Sequence, residues 1–197
     1  MGQTQIHGSL IEVCDLGVLI LGPSGVGKSE CVIELVRRGQ RMVADDVVRL
    51  STIEDPTPED GTGPCRRRLF GRSPESIRHH IEIRGIGLLS VADLYGPESV
   101  LDECEVHFVC RLEGWREGAD YERIGLDRPR EEILGVALPT LTLPVHAASN
   151  LATLVELAAR DWKLRLRGVN AARRLDERLQ TRGVILEESD SIQGGGT

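Results

Sequence analysis

Aromatic side chains are nearly missing from this chain: two Trp, two Tyr and two Phe make up 3% of its 197 residues. Its core must therefore be built from Leu, Val, Ile and Ala. Lysine is just as scarce, with Lys28 and Lys163 standing against 22 Arg. No apolar run approaches the roughly 20 residues of a membrane span, and no secretory signal opens the chain. A membrane partner is not expected, and a cytoplasmic setting is. The net charge of −7 speaks against nucleic acid as a partner. No two of Cys14, Cys31, Cys65, Cys104 and Cys110 form a Cys-x-x-Cys, and their number is odd. That pattern reads as reduced thiols without a zinc site. His79-His80 also lacks partners at metal-ligand spacing.

What is present is ordinary in bulk: 40% hydrophobic and 28% charged residues, in a length that suits one domain with a sizeable core. We expect a single domain over residues 1–182 and a disordered tail over 183–197, where the composition turns acidic and Gly-rich.

The chain is organised around Gly22-Pro23-Ser24-Gly25-Val26-Gly27-Lys28-Ser29. A Gly, four residues and then Gly-Lys-Ser is the phosphate-loop pattern. Glycines let backbone N–H groups turn toward a phosphate chain, the Lys reaches the β/γ-phosphates and the Ser hydroxyl holds Mg²⁺. The flanks fit. Leu16 to Leu21 reads as a buried strand, and Ser29 to Arg38 as a helix stopped by Gly39. The loop then puts phosphates at a helix N-terminus, where unpaired N–H groups and the dipole favour anions. In a chain that otherwise uses Arg, a Lys at the one place needing a compact point charge is informative.

Along the rest of the chain, Gln3 to Cys14 reads as a first strand, with His7-Gly8 inside it, turning through Asp15-Leu16-Gly17 into an antiparallel partner. Arg41 to Leu50 reads as the next strand, in which Met42-Val43-Ala44 leads into Asp45-Asp46 and then Val47-Val48. An apolar strand ending in Asp after a phosphate loop is where a second magnesium-site carboxylate belongs. Neighbouring residues on a regular strand point to opposite faces, so both carboxylates reach one site only if the strand ends or bulges there. Ser51 to Arg78 reads as largely irregular, and Arg66, Arg67, Arg68 and Arg72 as a solvated charge run. In His79 to Leu89, Glu82 and Arg84 share a strand face and are placed to supply a metal or water contact and a cation for a transferred phosphoryl group. Val91 to Tyr95 reads as a short helix or turn, Glu105 to Leu112 as a strand, and Ile133–Leu138 and Leu141–Val145 as short strands on either side of Pro139. Two helices close the chain, Asn150 to Arg167 and Val169 to Thr181, parted by Gly168. The sum is α/β without regular strand–helix alternation.

With these stretches together, the chain resembles the catalytic domain of the HPr kinase/phosphorylase family, which acts on a serine of the phosphocarrier HPr. The likeness rests on His7-Gly8, the loop Gly22 to Ser29, Ala44-Asp45-Asp46 and, most specifically, Ile81-Glu82-Ile83-Arg84-Gly85-Ile86-Gly87. It is close over about Gln5 to Leu112 and weaker to about Leu179. It implies a P-loop domain with a mixed β-sheet of the phosphoenolpyruvate-carboxykinase-like type and two C-terminal helices. It also implies ATP and Mg²⁺ as cofactors, HPr or a related phosphocarrier as partner, and a hexamer. By position it makes Asp45 the base that activates the substrate serine. Ser29, Asp46 and Glu82 become Mg²⁺ contacts, Lys28 the phosphate-binding lysine, and His7, Arg84 and Arg123 further active-site groups.

Two departures stand out. The family's separate N-terminal domain has no counterpart here, as in a short member or a paralogue. Where the family's loop before the last helices is basic and ends in Gly-Arg-Asn, this chain has Thr140, His146 and Ser149 at the Lys or Arg positions. That loop serves phosphorolysis and partner docking, so weak or absent phosphorylase activity is expected. Two other activities remain compatible with the residues: a kinase of the same fold for another protein or small molecule, and an ATP-binding regulator without catalysis.

Overall fold

Gly8 divides the first expected strand in two. In the computed structural model, which describes residues 2–55, 67–117, 128–146 and 149–180, β1 is Gln3–His7 and β2 is Ser9–Val13. A Cβ at Gly8 would come 2.8 Å from the Ile20 carbonyl oxygen, so only glycine lets the chain cross there. The other elements follow in order: β3 Leu16–Leu21, α1 Lys28–Arg37, β4 Arg41–Ala44, β5 Val47–Glu54, β6 Arg67–Arg72, β7 His80–Ile83, β8 Gly87–Ser90, α2 Val91–Tyr95, β9 Glu103–Gly114, β10 Arg130–Ile133, β11 Val136–Val145 and α3 Leu151–Leu166. Residues 171–180 form a further helix, α4. The Asn170 side chain starts it, accepting the Arg173 N–H at 3.1 Å.

The main sheet runs β1-β5-β6-β9-β3-β2-β4. The long β9 holds it together. One edge of β9 pairs parallel with β3. Its other edge is shared: antiparallel β6 sits near its start and parallel β11 near its end. The result is the mixed α/β sheet anticipated from the sequence. Period-2 alternation then sorts the core onto two faces. Ile11, Val13, Val18 and Ile20 face α1 and α3, meeting Val32, Leu35, Val155 and Ala159. Leu10, Leu19 and Leu21 point the other way and pack on Val48, Leu50 and Leu69 of β5 and β6. Nearly all of these side chains are aliphatic, as the shortage of aromatics requires. Each fully buried one contributes about 1.5–3 kcal/mol.

The β2–β3 turn falls at Cys14-Asp15, one residue earlier than expected, with φ of 54° and 66°. Two successive left-handed residues give the turn whose twist suits a hairpin. Lys163 of α3 donates to the Cys14 carbonyl at 3.0 Å and to the Asp15 carboxylate at 2.6 Å, tying the hairpin to the last part of the chain.

Three expectations for the middle and end of the chain are corrected. The stretch expected to be irregular from Ser51 contains the end of β5 and all of β6, paired in register from Arg49↔Arg72 to Glu54↔Arg67. The two strands expected around Pro139 are one strand, β11, which pairs with β10 as far as Pro139 and with β9 from Thr140. Pro139 sits where the strand changes partner, so its missing N–H breaks neither ladder in mid-run. Thr140, expected in a loop, is consequently a buried strand residue. The expected tail over 183–197 lies outside the described residues. No helix among the described residues is long and apolar enough to cross a membrane.

Candidate active site

The phosphate loop joins β3, whose residues are all buried, to the start of α1. Gly27, at the cap position, has φ 100°, in the left-handed region, and no side chain caps the helix. The first N–H groups of α1 are therefore left to face whatever the loop encloses. Lys28 is nearly buried and bridges the loop's own carbonyls, donating to Gly22 O at 2.9 Å and Pro23 O at 3.1 Å. Burial pulls its pKa down, while the charges of Asp45, Asp46 and Glu30 pull it up.

β4 ends where two carboxylates are needed. Asp46 has φ 65°, and the Val47 N–H donates back to the Asp45 carbonyl at 2.8 Å. This tight turn at Asp46 ends one strand and begins the next. It also sends the two carboxylates apart. Asp45 is 4% exposed and accepts hydrogen bonds from Ser29 Oγ, at 2.7 Å, and Ser9 Oγ. Asp46 is open to solvent, and its Oδ1 lies 3.0 Å from His7 Nδ1. The Asp46 carbonyl accepts the Gly8 N–H at 3.1 Å, so the break between β1 and β2 and the break between β4 and β5 hold each other. The resemblance implies Asp45 as the base and Asp46, with Ser29, as Mg²⁺ contacts. In the structure it is Asp45 that Ser29 meets, because Ser29 reaches the last residue in line with β4, whereas Asp46 has already turned outward.

Burial raises the Asp45 pKa, and the hydrogen bonds from Ser9 and Ser29 partly oppose it. A carboxyl whose folded pKa lies above its unfolded value adds stability below the unfolded pKa, about pH 4. That contribution is lost as the pH rises through the folded value. At neutral pH the buried charge therefore weighs against the fold. We expect Asp45→Asn to unfold at higher denaturant than the parent at about pH 7, with the difference closing below about pH 4. A lower midpoint at neutral pH would mean that the two hydroxyl bonds outweigh burial.

The signature stretch reaches the loop from the side. Glu82 lies on β7, but that strand ends at Ile83, so Arg84 belongs to the turn into β8 and not to a shared strand face. From there Arg84 Nη2 donates to Ser24 Oγ at 3.1 Å. His7, Ser24, Gly25, Gly27, Lys28, Ser29, Asp45, Asp46, Glu82 and Arg84 line one cleft of about 170 Å³. Arg123 lies outside the described residues. Ser9 and Glu30, not anticipated from the sequence, belong to the same surroundings: Ser9 holds Asp45, and Glu30 lines the cleft. Ser9 left a signal, a small polar residue opening an apolar run right after His7-Gly8.

Among the described residues, no three His, Cys, Asp or Glu side chains gather closely enough to hold a metal ion by themselves. The donors at hand suit Mg²⁺ instead. It binds through one or two protein carboxylates together with substrate phosphates, and Ser29 and Asp45 offer hard oxygens beside the phosphate loop.

Sheet, loop and cleft define an α/β P-loop protein. More narrowly, the chain belongs to the HPr serine kinase C-terminal domain family, whose model matches residues 1–179. It is 47% identical over 174 residues to the HPr kinase/phosphorylase of Caldicellulosiruptor bescii, covering 88% of this chain and 52% of that one. It is 46% identical over 177 residues to the HPr kinase/phosphorylase of Thermoanaerobacter sp. (strain X514), covering 90% of this chain and 54% of that one. The chain thus spans about half the length of these curated relatives. Among solved structures, the Hpr(Ser) kinase/phosphatase from Coxiella burnetii matches with a TM-score of 0.70 and 29% identity, over 83% of this chain and 99% of that one.

Proposed function

We propose that this chain is the catalytic domain of an ATP- and Mg²⁺-dependent serine kinase acting on HPr or a related phosphocarrier. One observation carries it: the phosphate loop, the Ser29–Asp45 contact and the open His7–Asp46 pair face a single cleft. Membership of the family and the names of the relatives support the choice of acceptor.

Roles follow from access. Both Asp45 oxygens are engaged by hydroxyls, and the residue is buried. It suits a metal-holding carboxylate, with Ser29 and Glu82. Bound Mg²⁺ neutralises charge on the phosphates. Asp46 is open to an incoming residue and is steadied by His7. Its carboxylate takes the proton of the acceptor serine as that oxygen attacks the γ-phosphorus and ADP departs. The base is therefore Asp46, not Asp45. Arg84, bonded to Ser24, adds positive charge beside the loop. Arg123 remains a further active-site arginine by resemblance. A hexamer and a cytoplasmic setting complete the proposal on the same ground.

The test is incubation with γ-labelled ATP, Mg²⁺ and purified HPr, followed by mapping of the label. We expect one labelled serine, and little release of that label when inorganic phosphate is added, because Thr140, His146 and Ser149 stand where the family has Lys or Arg. Intact ATP binding without transfer to any hydroxyl would favour a nucleotide-binding regulator. Transfer to another acceptor alone would keep the kinase and discard HPr.

A further inference from the structure

The sheet pairs its arginines with acids. Arg41 meets Glu12, Arg67 meets Glu54, Arg68 meets Asp55 and Glu105, and Arg111 meets Glu131. Arg130 donates to the Ala137 carbonyl. Among the described residues, Arg49 of β5 and Arg72 of β6 are the exceptions on these strands. Both are exposed, and neither has a protein partner. They are also directly opposed in the antiparallel register. Like charges facing each other across two strands destabilise a sheet. In a chain with 31 acidic and 24 basic residues, partners for them are not scarce. Glu103 stands in register with Arg72 on its other side, yet makes no ion pair with it.

Arg49 and Arg72 border a concavity of about 310 Å³ that Gln3, Gln5 and Ser51 also line. Register accounts for the grouping. Gln5 pairs with Arg49, Gln3 with Ser51, and Arg49 with Arg72, so these side chains share one sheet face. Two residues along β1 the same face carries His7. Strands lie about 4.8 Å apart, so two arginine forks on neighbouring strands can grip one tetrahedral oxyanion from two sides. Arginine suits this, since its planar fork matches phosphate geometry. The neighbouring amides and hydroxyl provide further neutral donors, and no carboxylate lines the concavity.

We propose that Arg49 and Arg72 form a second anion site, separate from the phosphate loop, that takes a phosphate group, either free phosphate or the phosphate of a small ester. Nothing in it depends on the kinase assignment.

The test keeps the phosphate loop out of the reading. Inorganic phosphate and glycerol 3-phosphate are titrated calorimetrically into the Lys28→Ala chain and into the same chain carrying Arg49→Gln and Arg72→Gln. We expect binding to the first and a loss of affinity of about tenfold or more in the second. Added salt should weaken the binding further. Without ligand, the glutamine variant should melt no lower than its parent, because it relieves a like-charge pair. Phosphate should no longer raise its melting temperature. If the double substitution does not fold, Arg49→Gln and Arg72→Gln singly carry the same comparison, each with a severalfold loss. Binding of both probes identifies the phosphate group of an ester as sufficient. Binding of inorganic phosphate alone identifies the free anion. Equal affinity in parent and variant, or no binding to the Lys28→Ala chain at millimolar concentration, overturns the proposal.

Discussion

Asp46→Asn is expected to abolish phosphoryl transfer, lowering kcat by about 10²–10⁴-fold, while nucleotide affinity stays unchanged. The substitution is close to isosteric. An Asn carbonyl can still accept from His7, and Asn tolerates the left-handed backbone that Asp46 adopts at φ 65°. Only the capacity to take a proton is lost. Asp45→Asn makes the informative contrast. That side chain sits beneath the loop, held by Ser9 and Ser29, so its loss should appear first as weaker Mg²⁺ dependence of nucleotide binding. Measuring nucleotide affinity with and without Mg²⁺, and single-turnover transfer, on both variants separates the two roles. Normal turnover in Asp46→Asn together with none in Asp45→Asn would return the base to Asp45, as the family resemblance alone implies.

The different surroundings of the adjacent aspartates, Asp45 held by Ser9 and Ser29 and Asp46 open beside His7, mark what local sequence patterns do not carry. The strand, loop and helix around Gly22 to Ser29 were legible because each is a short-range pattern: an apolar run, glycines at fixed spacing, then helical periodicity up to Gly39. That Asp45 and Asp46 end a strand was also legible, since no regular strand could bring both to one site. Which of them turns outward was not. It depends on a positive φ at Asp46 and on the Gly8 N–H of another strand that holds its carbonyl. The break at Gly8 was hidden for a similar reason. A run from Gln3 to Cys14 looks continuous until the backbone of Ile20 is placed against it. Likewise β11 looked like two strands because proline ends a pattern, whereas here it marks a change of partner. The opposition of Arg49 and Arg72 needed the β5–β6 register, which no local pattern carries.

Lys28→Ala should remove nucleotide binding for reasons that reach beyond its charge. The ammonium is nearly buried and donates to the carbonyls of Gly22 and Pro23. In the unliganded protein it is thus a strut that closes the loop on itself. Phosphates compete for the same donors. Loss of hydrogen bonds to a charged group accounts for about 1.5–3 kcal/mol, or roughly 10- to 150-fold in affinity. Alanine also frees the loop, so amide hydrogen exchange at Gly25 to Gly27 should quicken in the variant even without nucleotide. Arginine should not rescue. Its broad planar fork does not fit where a compact ammonium sits between two carbonyls. The stabilisation that nucleotide gives the parent should vanish. Undiminished nucleotide affinity would show that the loop is not the binding site.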